Sequence, residues 1–151
     1  MPNQKIKACL WFDGNAEEAA EFYVSVFKGK GDSAVTGVTP GPNGKALVVE
    51  FRLAGIEYLG LNGGPHFKFN EAISLSVSCQ SQEEVDELWD KLSAGGSASQ
   101  CGWLKDRYGL SWQIVPAVQP QLLGAGQAPQ LINPLIGLTK LDIRALEAAA
   151  A

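Results

Sequence analysis

His66 is the only histidine of the chain, and Cys9, Cys79 and Cys101 are its three cysteines. A thiol held against an imidazole makes a nucleophile, so His66 with Cys101 is the pair to weigh for covalent chemistry. Nothing in their spacing brings the two within reach, and a loop histidine with a half-buried thiol is the plainer reading. An odd cysteine count without C-x-x-C spacing points to reduced thiols, not to a disulfide framework or a zinc ribbon. The run Asn62-Gly63-Gly64-Pro65 could present backbone N–H groups to an anion, although most such runs only turn the chain. Asp106 and Arg107 read as a solvated pair at a turn, with nothing beside them to desolvate the carboxylate and make it a base. Glu50 and Arg52 alternate on one strand face, either at the rim of a site or as charges that blunt an edge.

The elements that must position these groups follow from periodicity. Lys5 to Phe12 reads as a strand, and Asp13-Gly14-Asn15 supplies polar groups to cap a helix from Ala16 to Phe27. Ala19, Ala20, Phe22, Tyr23, Val26 and Phe27 form that helix's apolar face, Glu17 and Glu18 suit its first turn, and Gly29 closes it. Ala34 to Val38 and Ala46 to Leu53 read as a hairpin around the turn-rich Thr39 to Gly44, and Gly55 turns the chain into Ile56 to Leu61. The pattern then restarts. Ile73 to Cys79 alternates as a half-buried strand, and Gln80-Ser81-Gln82 caps a helix with Glu83 and Glu84 in its first turn. Val85, Leu88, Trp89 and Leu92 make that helix's apolar face, which Gly95-Gly96 ends. Short strands at Ala98 to Gln100, Trp103 to Asp106 and Ser111 to Val115 complete the second set.

The two sets align: Glu17-Glu18 with Glu83-Glu84, Phe22-Tyr23 with Leu88-Trp89, Gly29 with Gly95, and Gly55-Ile56-x-Tyr58 with Gly109-Leu110-x-Trp112. A duplicated βαβββ unit accounts for all of these matches. The expected class is α+β. Two tandem βαβββ modules, residues 5–62 and 72–116, form one curved, mostly antiparallel sheet with helices on its convex side and a cup on the other. Residues 1–116 then make a single domain. Residues 117–151 are a C-terminal extension, partly helical, whose apolar positions from Leu131 to Leu146 are expected to pack on the domain or on a second subunit.

Three stretches carry a family likeness: Cys9-Leu10-Trp11-Phe12-Asp13-Gly14-Asn15-Ala16-Glu17-Glu18-Ala19-Ala20-Glu21-Phe22-Tyr23, Leu61-Asn62-Gly63-Gly64-Pro65, and Cys101-Gly102-Trp103-Leu104-Lys105-Asp106-Arg107-Tyr108-Gly109-Leu110-Ser111-Trp112-Gln113. They resemble the PhnB-like branch of the vicinal-oxygen-chelate superfamily, which groups glyoxalases, bleomycin-resistance proteins and dioxygenases. The likeness runs from about Lys5 to Pro116. That branch often carries a demethylubiquinone methyltransferase-like label, for which the chain shows no strand-turn-helix G-x-G-x-x-G fingerprint of a dinucleotide or related cofactor. The resemblance implies a divalent metal held by His, Gln or Glu on the first and last strands of each unit, where it polarises paired substrate oxygens. Counting back from the two aromatic helix pairs puts the first-strand positions at Ala8 and Ser74. Counting forward from Gly55 and Gly109 puts the last-strand positions at Leu59 and Gln113. Only Gln113 is a ligand type, and an amide oxygen is a weak ligand for a transition metal. No metal ligand is therefore assigned.

Strand alternation from those positions predicts the cup lining: Ala8, Leu10 and Phe12; Leu59 and Leu61; Ser74, Ser76 and Ser78; Ser111 and Gln113. An apolar wall facing a few fixed polar groups suits a small ligand, and equally an amphipathic sheet with a wet face. Trp11, Trp89 and Trp112 read as core, whereas Trp103 edges the cup. The expected ligand-binding residues are Phe12, Leu59, Leu61, Ser74, Ser76, His66, Trp103 and Gln113, and no catalytic residue is assigned.

Composition bounds the rest. With 151 residues, 46% hydrophobic and 19% charged, the chain can bury a core without disulfides. A net charge of −4 leaves no basic stripe for phosphates, so a nucleic-acid partner is not expected. No apolar run approaches the span of about 20 residues that a membrane helix needs, and no signal segment opens the chain. The expected protein is soluble and cytoplasmic, a homodimer that binds a small molecule and has no assigned cofactor. Two alternatives stay open. One is a divalent-metal lyase, isomerase or dioxygenase with ligands in a shifted register, for instance His66, Glu57 and Gln113. The other is a scaffolding dimer built by the tail.

Overall fold

The computed structural model describes residues 4–117 together with Lys140 and Asp142. The chain divides into two compact units, Met1–Lys68 and Phe69–Ala151. In the first, β1 (Ala8–Phe12) leads into α1 (Ala16–Val26), followed by β2 (Ala34–Pro40), β3 (Ala46–Leu53) and β4 (Ile56–Asn62). The strands form one sheet in the order β1-β4-β3-β2. Only β1 and β4 pair in parallel, with Ala8 opposite Tyr58 and Phe12 opposite Asn62. The β2–β3 and β3–β4 neighbours are hairpins and therefore antiparallel, as short connections require.

Helix α1 lies on one face of this sheet because its buried stripe is mostly small. Ala16, Ala19 and Ala20 are fully buried, so helix and strand backbones approach closely, while Tyr23 and Val26 fill the wider end. A Cβ at Gly60 would stand 3.3 Å from that of Ala16 and 3.5 Å from the Phe12 ring. Leu10, Phe12, Val49, Phe51 and Leu53 complete the core, with Phe51 between Tyr23 (ring centroids 6.3 Å apart) and a stacked Tyr58 (5.6 Å). Burial there pushes the Tyr58 phenol up, keeping it neutral.

The start of α1 is secured from a distance. Asn15 occupies the N-cap position, yet its side chain makes no capping hydrogen bond. The orphan N–H of Ala16 instead donates to Asn62 Oδ1 at 2.9 Å, from the last residue of β4. Asn62 Nδ2 in turn donates to the Ala46 carbonyl at 2.9 Å. One amide thus ties the helix start to both β3 and β4, a role that local reading had given to the Asp13–Asn15 segment.

The second unit repeats the plan: β5 (Ser74–Cys79), α2 (Gln82–Ser93), β6 (Ser97–Ala98), β7 (Trp103–Lys105) and β8 (Ser111–Pro116). Its sheet runs β5-β8-β7-β6, again with the first and last strands parallel. Here the cap is local: Ser81 Oγ accepts from Glu84 N at 3.1 Å, and Glu84 Oε1 accepts from Gln80 N at 2.8 Å. Val85, Leu88 and Leu92 are buried with Leu104, Trp112 and Ile114. Strand β6 is shorter than periodicity suggests, and Gly96 before it passes so close to the Lys105 carbonyl that a Cβ would overlap it. Beyond the sheet, Ala117 N donates to Cys79 O at 2.7 Å, and Lys140 pairs with Asp86 of α2 at 2.7 Å. The expected helical extension otherwise lies outside the described residues.

Replacing a capping side chain costs about 1 kcal/mol, and Asn62 also anchors β3, so Asn62→Ala is expected to lower unfolding free energy by about 1–2 kcal/mol. Asn15→Ala should change it by less than about 0.5 kcal/mol. Urea denaturation of the two variants checks the pair; equal losses would return the cap to Asn15.

Candidate functional site

Side chains alternate between the two faces of a strand, so ladder register sorts them. In the second unit, Leu104, Trp112 and Ile114 are buried on the α2 side. The opposite face carries Ser74, Ser76 and Ser78 of β5, Ser111, Gln113 and Val115 of β8, and Trp103 and Lys105 of β7. Four residues expected at the site therefore share one surface: Ser74, Ser76, Trp103 and Gln113. Gln113 Nε2 donates to Ser74 Oγ at 2.9 Å, and Trp103 is the direct cross-strand partner of Gln113. Ser111 is 1% exposed, and among the described residues its hydroxyl has no hydrogen-bond partner. Lys105 forms an ion pair with Glu71. The hydrogen bond from Lys105, helped by one from the backbone of Glu71 itself, holds the Glu71 carboxyl below the usual carboxylate range.

In the first unit the surface away from α1 holds Leu59 and Leu61, as expected, but the first strand is offset by one residue. Ala8 pairs with Tyr58 and Leu75 with Trp112, so Ala8 corresponds to Leu75, not to Ser74, and Cys9, not Leu10, corresponds to Ser76. Leu10 and Phe12 consequently face α1, and Phe12, only 2% exposed, packs against Gly60 in the core. Cys9 and Trp11 take their places on the open face. The cause is a loop difference: three residues, Asp13 to Asn15, join β1 to α1, whereas two, Gln80 and Ser81, join β5 to α2. Aligning the helices therefore cannot register the strands. The unequal loops were the signal available in the sequence.

Trp11 is thus not core. Its indole Nε1–H donates to the Gly64 carbonyl at 2.9 Å, and Phe67 meets it edge-on with centroids 4.8 Å apart. Gly63 lies flat on the indole, where a Cβ would overlap the ring. The Asn62–Pro65 run is accordingly a seat for Trp11, with His66 exposed just beyond it. His66 and Cys101 belong to different units. No disulfide joins Cys9, Cys79 or Cys101, and partial burial pushes the Cys9 thiol up, so it remains protonated at neutral pH. Glu50 and Arg52 also lie on the open face, Arg52 against Asp32 at 2.9 Å and Glu50 over Gly37.

Asp106 departs most from expectation. It is 2% exposed, not a solvated turn residue. Its Oδ1 accepts from the N–H of Tyr108 (2.8 Å) and Leu110 (3.1 Å), and its Oδ2 accepts from the Trp112 indole at 2.8 Å. Three donors compensate a buried carboxylate, which sets the β7–β8 turn and positions the strand bearing Ser111 and Gln113.

A tandem of βαβββ units, each with its helix on one face and the other face free of it, is the fold of the vicinal-oxygen-chelate superfamily, and solved structures share it. The protein from Frankia described as a glyoxylase/bleomycin resistance protein/dioxygenase domain superposes with a TM-score of 0.54 at 13% identity, covering 78% of this chain and 94% of its own. The fosfomycin resistance protein FosX of Listeria monocytogenes, solved with Mn(II) and sulfate, gives 0.52 at 18% identity over 74% of this chain and 90% of its own. Within the superfamily, the chain belongs to the PhnB-like 3-demethylubiquinone-9 3-methyltransferase family, whose profile matches residues 4–115. A PhnB protein of Bacillus cereus bearing that methyltransferase label is 32% identical, with a TM-score of 0.69 over 76% of this chain and all of its own. A search of curated proteins gives no match.

The superfamily implies a divalent metal, and the donors on these faces do not fit one. Gln113 has its amide turned to Ser74, and its first-unit counterpart is Leu59. Among the described residues no three His, Cys, Asp or Glu side chains are grouped to hold an ion. Beside Gln113 the donors are hydroxyls, poor ligands for a transition metal, and of the carboxylates on these faces Glu71 is paired with Lys105 and Glu57 with Lys7.

Asp106→Ala would leave buried donors without an acceptor, at about 1–3 kcal/mol each, so a stability loss of about 3 kcal/mol or more is expected. Urea unfolding measures it; a loss under about 1 kcal/mol would mean that the carboxylate does not organise the turn.

Proposed function

We propose that the protein is a small-molecule binder of the glyoxalase/bleomycin-resistance type whose sheet faces hold the ligand without a resident divalent metal. The carrying observation is the Ser74–Gln113 hydrogen bond: the amide at the expected ligand position is engaged by a neighbouring hydroxyl, and among the described residues no three His, Cys, Asp or Glu side chains are grouped with it. The proposed ligand-binding residues are, in the second unit, Ser74, Ser76, Trp103 and Gln113 on one polar face and, in the first unit taken by itself, Leu59 and Leu61 on an apolar face, with His66 on the loop that follows β4. Phe12 drops out. A homodimer in the cytoplasm, with residues 117–151 packed on the domain or on the second subunit, belongs to the same proposal. The Lys140–Asp86 ion pair supports the return of the extension towards α2. The methyl transfer in the family's name gains no support from the sequence, which lacks a Gly-rich strand-turn-helix loop.

The second reading is a metal-dependent lyase, isomerase or dioxygenase, favoured by the Mn(II) in the FosX structure. Calorimetric titration of chelator-stripped protein with manganese, nickel, zinc and iron(II) separates the two. No stoichiometric uptake is expected. Tight one-to-one binding that disappears in Gln113→Ala would overturn the metal-free reading and install the enzyme.

A further inference from the structure

The open face of the second unit has a hydrogen-bonding capacity larger than its own residues use. Among the described residues Ser111 Oγ, itself buried, has no hydrogen-bond partner, an arrangement that costs stability unless something completes it. Two residues along β8, Gln113 uses one amide N–H on Ser74. An amide has two N–H donors and a carbonyl acceptor, so most of its capacity remains, and the Ser74 hydroxyl keeps a proton to donate. Ser74 and Ser111 are direct partners in the parallel β5–β8 ladder, which puts both hydroxyls and the amide in one patch. Trp103, half-buried, stands beside Gln113 on the next strand and offers an indole.

Charge narrows the ligand. The cation on this face, Lys105, is already neutralised by Glu71, and the other side chains of the patch are hydroxyl, amide or aromatic. A carboxylate or ammonium entering here would lose hydration without gaining an unpaired counter-charge. A flat ring would gain contact area against the indole.

We propose that this patch takes an uncharged planar ligand with an adjacent donor and acceptor, of the carboxamide type, which replaces the Gln113–Ser74 bond and gives the Ser111 hydroxyl its partner. The proposal rests on the binding-protein reading above and adds the ligand's chemical class. The internal bond acts as a placeholder: its amide and hydroxyl exchange one neutral partner for another, so no buried group is left bare when the ligand enters.

Benzamide, benzoate and benzylamine, alike in ring and different in charge, test the idea on the full chain, followed by the NMR signals of the Gln113 side-chain amide and the Trp103 indole N–H. Benzamide is expected to shift both signals saturably, with an affinity several-fold above that of the two charged probes. Ser111→Ala should keep or raise the thermal midpoint, because an orphan hydroxyl is gone, and should weaken benzamide several-fold. Gln113→Leu should abolish the indole shift. If benzamide moves neither signal, or if Ser111→Ala binds it as well as the parent chain does, the proposal is overturned. Benzoate binding as tightly as benzamide would overturn the uncharged class while leaving the binding reading intact. Metal uptake in the calorimetric titration is the separate result that would overturn that reading.

Discussion

Pairing a first strand in parallel with a last one is the demand that shapes each unit. A parallel partner cannot be reached by a tight turn, so the chain must leave through a helix and come back through a hairpin before β4 can lie beside β1, or β8 beside β5. The helix that makes the crossing must then be held against the sheet it crosses. In the first unit Asn62 does so from the very strand that closes the pair, and the contact between Ala16 and Gly60 sets how near the helix lies. A Cβ at Gly60 would make Ala16 give way by a few tenths of an ångström.

Covering one sheet face with a helix determines what the other face can be. Along β8 the chain alternates Trp112 and Ile114, buried, with Gln113 and Val115, half-exposed. The first unit makes its open face from Leu59, Leu61, Trp11 and charged pairs, and the second from serines, an amide and an indole. The same fold therefore presents two chemically different surfaces, a difference that arises entirely from residues the packing does not fix. Asp106 shows the opposite case, a charged residue that the packing does fix, since three donors converge on it.

Strand and helix positions were legible because alternation and apolar periodicity survive in every element. Ala46–Leu53 falls where periodicity puts it, α1 starts at the expected Ala16, and α2 takes in Gln82, which local reading assigns to its cap. Positive-φ glycines explain why the repeat could be read at all: Gly29 and Gly95 end the helices, and Gly55 and Gly109 turn into the last strands. What could not be read was set by how turns and loops close, which periodicity within an element does not report. Burial of Asp106 depends on the β7–β8 turn bringing three donors onto it, and the facing of Phe12 depends on one extra residue in the β1–α1 loop, a signal that aligning the helices hides. The seat under Trp11 likewise needs Gly63 and Phe67 to arrive from the far end of the unit.

The two caps bear on the order of events during folding. Ser81 and Glu84 are neighbours in sequence, so the start of α2 can be satisfied as soon as that short segment bends, before any sheet exists. The start of α1 waits for Asn62, 46 residues downstream of Ala16, and closing a loop of that length comes late. The duplicated halves, alike in their finished form, are thus assembled on different clocks: the second can nucleate from its helix outward, while the first must bring its last strand home before its helix is fully made.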